Sequence, residues 1–116
     1  MSFDVSLEDE NGTPVLVTRH SEGGTYVLGG TDQAILNITY NYSPFYSKHL
    51  DAEHGLRWLD GKKGAECVER LAEAVAQLGT ERTSDYWAAT AGNAGYALFI
   101  LHAWAREHPG ATFEVW

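Results

Sequence analysis

Hydrophobic and polar positions alternate along the first third of the chain and then change to a helical spacing. Phe3, Val5 and Leu7 alternate with Asp4, Ser6 and Glu8, which is the period of a half-buried strand. Asp9-Glu10-Asn11-Gly12 supplies turn chemistry before Val15-Leu16-Val17, so a first hairpin is expected. Ser21-Glu22-Gly23-Gly24 reads as a second turn, Tyr26-Val27-Leu28 as a short strand and Gly29-Gly30-Thr31-Asp32 as a third turn. Ala34 to Tyr42 is the longest predicted strand. Ile35, Asn37, Thr39 and Asn41 lie on one of its faces, and Leu36, Ile38, Tyr40 and Tyr42 on the other. The short connections favour an antiparallel meander in sequence order.

Ser43-Pro44 closes that strand, since proline has no amide hydrogen for the ladder, and a short helical turn is expected around Tyr46 to Leu50. Gly55-Leu56-Arg57-Trp58-Leu59 suits either a fifth short strand or a loop whose Leu56, Trp58 and Leu59 plug the core. Ala65 to Leu78 has Val68, Leu71, Ala72, Val75 and Leu78 on one stripe and predicts a helix stopped by Gly79. Ser84 can cap a short turn through Asp85-Tyr86-Trp87. Thr90 or Asn93 can cap a last helix that runs to His108 and is ended by Pro109-Gly110. That helix is apolar nearly all round, which suits a central buried helix or one that also forms a subunit interface. Thr112 to Val115 alternates again and predicts a closing strand. The expected fold is therefore α+β: an N-terminal antiparallel sheet of about four strands on two main C-terminal helices, as a single domain over 1–116, mainly β over 1–42 and mainly α over 64–108.

Composition narrows the function. A chain of 116 residues is long enough to bury a core without a disulfide or a metal. Its single cysteine, the absence of an apolar run of membrane length, and a start with neither basic nor hydrophobic signal character point to a soluble, cytoplasmic protein. On that expectation the acceptor patterns at Asn37-Ile38-Thr39 and Asn41-Tyr42-Ser43 would not meet a glycosylating enzyme. Sixteen acidic against eight basic residues give a net charge of -8, which disfavours duplex nucleic acid as a partner. The acids are scattered and not gathered in a block.

Asn37, Thr39 and Asn41 place two carboxamides and a hydroxyl in a row, donors and acceptors without charge, suited to a polar ligand or to a plain solvated sheet face. Asparagine is a poor strand former, so its repetition there is a local cost that marks a role. Tyr42, Phe45, Tyr46 and Trp87 belong to a dense aromatic set that can stack a planar ligand or fill the core. Gly61-Lys62-Lys63-Gly64 before a helix has the physical logic of an anion site, without the spacing of a Walker loop, and Gly92-Asn93-Ala94-Gly95 is a second such helix start. Catalysis has little support. Cys67 borders an apolar stripe as a small buried residue would, the five histidines show no metal-ligand spacing, and no carboxylate pair stands out as acid and base. His102 and Arg106 share a helix face near a C-terminus, which favours cations. No cofactor is expected.

Asn37-Ile38-Thr39-Tyr40-Asn41, Gly64-Ala65-Glu66, Asp85-Tyr86-Trp87 and Thr90-Ala91-Gly92-Asn93-Ala94 together resemble small phage-encoded proteins of unassigned function, over roughly residues 34–116. The resemblance implies a compact accessory protein, of a kind often used in counter-defence, that blocks a host protein or sequesters a host nucleotide signal in the host cytoplasm. Combined with the residue pattern, it leads to an expected non-enzymatic homo-oligomer holding a nucleotide-like ligand. The candidate contacts are Asn37, Thr39, Asn41, Tyr42, Phe45, Tyr46, Arg57, Lys62, Trp87 and Asn93. Asparagines would read edges, aromatics would stack, and Arg57 or Lys62 would meet phosphate. The alternative is an acidic inhibitor that binds a host defence protein directly.

Overall fold

In the computed structural model, residues 1–18, 32–85 and 87–116 are described, together with the backbone of 26–27. The turn expected at Ser21 to Gly24, Leu28, most of the turn at Gly29 to Asp32, His20 and Tyr86 lie outside the described residues. Among the described residues there are four strands: β1 (Ser2–Glu8), β2 (Tyr26–Val27), β3 (Ile35–Thr39) and β4 (Thr112–Val115). Three α-helices accompany them: α1 (Ser43–His49), α2 (Gly64–Leu78) and α3 (Ala91–Glu107), with short 3-10 turns at Tyr40–Tyr42 and Gly55–Leu59. The architecture is α+β, as the change of hydrophobic period predicts.

The sheet is antiparallel throughout, but its order is β2-β3-β1-β4 and not the sequence-order meander. β1 pairs with β3 in the register Phe3 to Ile38 and Val5 to Leu36, and on its other side with β4, Leu7 opposite Phe113. The chain does reverse after β1: Asp9 N–H donates to Thr13 O at 2.9 Å, and the Asp9 carboxylate accepts from the amides of Asn11 and Thr13. The returning Val15-Leu16-Val17 segment then makes only isolated bridges. Val15 N–H donates to Leu7 O and Ala34 N–H to Val15 O, so this segment fills the gap where β1 and β3 diverge and no second strand forms.

β3 is also shorter than its alternation suggests. The Thr39 hydroxyl accepts from the Asn41 amide at 3.2 Å and turns the chain into a 3-10 helix three residues before the strand's predicted end. Tyr40 and Tyr42 therefore leave the sheet, and Pro44 sits in the first turn of α1, where its missing N–H costs nothing. Gly55–Leu59 is the core plug and not a fifth strand: Leu56 and Leu59 are buried in its 3-10 turn.

Phe3, Val5, Leu7, Leu36, Ile38, Phe113 and Val115 face the helices, and one core cluster extends from them through Tyr42, Tyr46, Leu71 and Leu98 to Trp104. On α2 the buried row is Gly64, Cys67, Leu71, Ala74 and Leu78; Val68 and Val75 are half-buried and Ala72 is exposed. The stripe is rotated toward Cys67 because α1 and α3 flank the helix on both sides. α2 and α3 run antiparallel in close contact. Gly64 lies against the backbone of Ala105 and His108, and a Cβ built at Gly95 would meet the Gly79 carbonyl oxygen at 1.8 Å. The helix apolar all round is mainly the central helix: nine of its residues are buried, while Phe99 and Ala103 face outward.

Candidate binding surface

The polar row of β3 is tied into the sheet. Asn37 stands opposite Asp4, and its amide nitrogen donates to Asp4 Oδ1 and Ser2 Oγ, each at 2.7 Å. This offsets the poor strand propensity of asparagine with two cross-strand hydrogen bonds, one of them to a carboxylate. Thr39 is buried, its hydroxyl used as a cap. Asn41 is exposed and donates from Nδ2 to the Trp87 carbonyl at 2.8 Å.

Two of the tyrosines are core residues. Tyr42 and Tyr46 are fully buried, ring edge to ring face with centroids 6.3 Å apart. The Tyr46 hydroxyl donates to Ala94 O at 3.0 Å, and burial, reinforced by Tyr42, holds it well above the usual phenol range. Phe45 is half-buried against the same core.

Asn93 is fully buried and serves the chain itself. Thr90 caps α3 by accepting from the Asn93 amide. The Asn93 side chain accepts from Thr83 N–H at 2.9 Å and donates to Thr83 Oγ1, Asp85 O and Ala88 O at 3.0 to 3.1 Å. It thereby clasps the loop between α2 and α3. That loop carries Trp87, whose amide donates to Asp85 Oδ1 and which is 47% exposed. Gly92 and Gly95 serve close packing, since a Cβ at Gly92 would overlap the Glu81 carbonyl at 1.8 Å.

Arg57 and Lys62 are placed elsewhere. The Arg57 guanidinium lies 5.3 Å from the centre of the Phe3 ring, which in turn packs edge-on to Tyr40. Lys62 Nζ donates to Trp58 O at 2.7 Å and sits 4.7 Å from the Trp58 ring centre; Arg70 sits 4.3 Å from the same centre. The anion site read into Gly61 to Gly64 is closed. Gly64 N–H donates to Ala111 O and Ala65 N–H to Pro109 O, both at the N-terminus of α2, while Lys62 pairs through its backbone with Phe113. The amides that an anion would need are already bonded.

The structure thus gathers Asn41, Trp87, Asn93, Tyr42 and Tyr46 around one corner, where β3 ends and α3 begins. It leaves Asn37 and Arg57 along the first strand and Lys62 beside Trp58. Asn41 and Trp87 are the members of that corner that reach solvent. Two hollows among the described residues measure about 260 and 420 Å³. The first is lined by Trp58, Glu66, Glu69, Arg70 and Glu73, the second by Asp9, Glu10 and the Glu107 to Ala111 turn, so neither uses any of the ten candidates.

Cys67 is buried and burial pushes its thiol up to about 11, which keeps it protonated and a poor nucleophile at neutral pH. Burial first, and Arg106 second, hold His102 below the usual imidazole range. Among the described residues no three His, Cys, Asp or Glu side chains are grouped to hold a metal ion, and no helix is long and apolar enough to cross a membrane. Sequence reasoning missed one exposed group: Arg82 lies 4.3 Å from the ring centre of Tyr96, which stacks on Phe99 at 5.9 Å. The spacing of Tyr96, Phe99 and Arg106 on one helix was the available signal. Comparison with protein-family models, with curated proteins and with solved structures gave no match.

Proposed function

We propose that this chain is a non-enzymatic binding protein that docks on a basic protein partner through the Asn41 and Trp87 corner. The resemblance to phage accessory proteins makes a host defence protein the partner class. The observation that carries the reading is the contrast at that corner. Asn93 and Asn41 use their side chains to hold the loop backbone, Tyr46 holds the first turn of α3 beside it, and the loop presents a half-exposed tryptophan. A large aromatic side chain on a backbone already held before binding suits the anchor of a protein interface, because less entropy is lost when it is covered. A net charge of -8 steers such a surface toward a basic partner.

Sequestration of a nucleotide-like ligand has less support. Such a site needs edge-reading amides, stacking rings and a phosphate-binding cation in one cavity, whereas here Asn93, Tyr42 and Tyr46 are buried and Arg57 and Lys62 lie apart from them. The test is affinity capture from bacterial host lysate with the wild-type chain and with Trp87→Ala, alongside native mass spectrometry of the purified protein. The expected result is one basic protein retained by the wild type and lost with Trp87→Ala. A small molecule that travels with the native protein and is released on denaturation, with no protein captured, would replace this reading by sequestration.

A further inference from the structure

The outward face of the helix pair carries opposite charge on its two helices. On α2, the side opposite the buried row presents Glu66, Glu69 and Glu73, with Ala65, Ala72 and Ala76 beside them, all exposed. Arg70, the one cation of that helix, borders the same hollow as those glutamates but is engaged by Asp51 at 3.3 Å and by the Trp58 ring. On α3, the corresponding side presents Tyr96, Phe99, Ala103 and Arg106, and Arg82 lies over Tyr96 at its start. Glu107, the one acid of α3, accepts from Thr18 N–H. The face therefore grades from acidic on α2, across exposed alanines and a 47% exposed Phe99, to basic and aromatic on α3.

We propose that this face is the interface of a two-fold dimer, and that its partner is a second copy of this chain. The argument is charge complementarity with matched levels. Because α2 and α3 are antiparallel, with Gly64 beside Ala105 and Gly95 beside Leu78, Arg106 lies at the Glu66 and Glu69 end of the pair and Arg82 at the Glu73 end. A two-fold axis parallel to the helices lays α2 of one copy on α3 of the other without changing those levels. Arg106 then meets Glu66 and Glu69 of the second copy, Arg82 meets its Glu73, and each contact occurs twice, as an isologous interface requires. Between the charged rows, Ala72 and Ala76 leave room for Phe99 and for helices to approach at ordinary packing distance. Arg82 belongs to the same loop as Trp87, but neither Asn41 nor Trp87 is a contact of this face, so sedimentation of the charge variants and capture with Trp87→Ala test the two proposals separately.

The test is sedimentation velocity over a range of concentrations on the full chain, on Arg82→Glu with Arg106→Glu, and on Glu69→Arg with Glu73→Arg. The wild type is expected to be a dimer. Each double variant faces like charges at both copies of the contact and is expected to dimerise more than about a hundredfold more weakly. An equimolar mixture of the two variants restores opposite charges between positions 106 and 69 and between 82 and 73 in both contacts, leaves Glu66 facing a like charge in one of them, and is expected to return a dimer, which misfolded variants could not do. A monomeric wild type, a dimer indifferent to both reversals, or a mixture that stays monomeric overturns the proposal.

Discussion

At the scale of single residues, Asn93 has the largest structural role of any polar side chain among the candidates. Its carboxamide is fully buried and bridges Thr83, Asp85 and Ala88. Asn93→Ala leaves the Thr83 amide and two carbonyls without that partner. Since a buried group deprived of its hydrogen bond costs about 1 to 3 kcal/mol, we expect a loss of about 2 to 3 kcal/mol in urea denaturation. A loss below about 0.5 kcal/mol, within the range of ordinary surface substitutions, would show that the clasp is dispensable. The three asparagines also show what a sequence can and cannot convey. Asn37 and Asn41 are legible as residues with a role because asparagine is costly in a predicted strand, and Asn93 because it stands at a glycine-rich helix start. What they bind is not legible, since their partners Asp4, Trp87 and Thr83 are set by how distant segments pair.

At the scale of elements, the helices were readable and the sheet order was not. The stripe of α2, the Thr90 cap of α3 and the alternation of β4 are local patterns, and all three elements form where the residues place them. Short connections place β2 beside β3, as observed, but the position of β1 between β3 and β4 depends on which strands meet across long stretches of chain. The Gly92 to Gly95 helix start was open between anion binding and close packing, and the contacts settle it as packing. A quantitative consequence follows at Gly95. In an open helix, glycine to alanine gains about 1 kcal/mol of helix propensity. Here the added Cβ would lie 1.8 Å from the Gly79 carbonyl oxygen and 2.9 Å from Leu78 Cβ, so α2 and α3 must separate. Overpacking of this kind costs about 1 to 3 kcal/mol, so Gly95→Ala is expected to lower the thermal midpoint despite its better propensity. Gly110→Ala is the control: a Cβ there meets nothing within 4 Å, and its midpoint should stay within error of the wild type. If Gly95→Ala melts at or above the wild-type temperature, the close approach of the two helices is not what glycine is needed for.

At the scale of the whole molecule, the fold is closed by its last strand. β1 occupies an interior position in the sheet, bonded to β3 on one side and β4 on the other, so that the first and last strands lie together. β4 is also gripped from outside: Gly61 N–H donates to Phe113 O and Phe113 N–H to Lys62 O, both at 2.8 Å, and Val115 N–H donates to Asp60 Oδ1. Removal of residues 112–116 would therefore open one edge of β1, strip the 60–64 segment of its partner, and take Phe113 and Val115 from the core. Burial of each of those two side chains stabilises the fold by about 1.5 to 3 kcal/mol, so their loss alone amounts to roughly 3 to 6 kcal/mol. That is comparable with the whole stability of an ordinary domain, about 5 to 15 kcal/mol, before any hydrogen bond is counted. The truncated chain is accordingly expected to lose its cooperative thermal transition by circular dichroism. Should it instead melt cooperatively within a few degrees of the full chain, the core would have to be complete without β4, and the closure of the fold would lie with β3 and the helices.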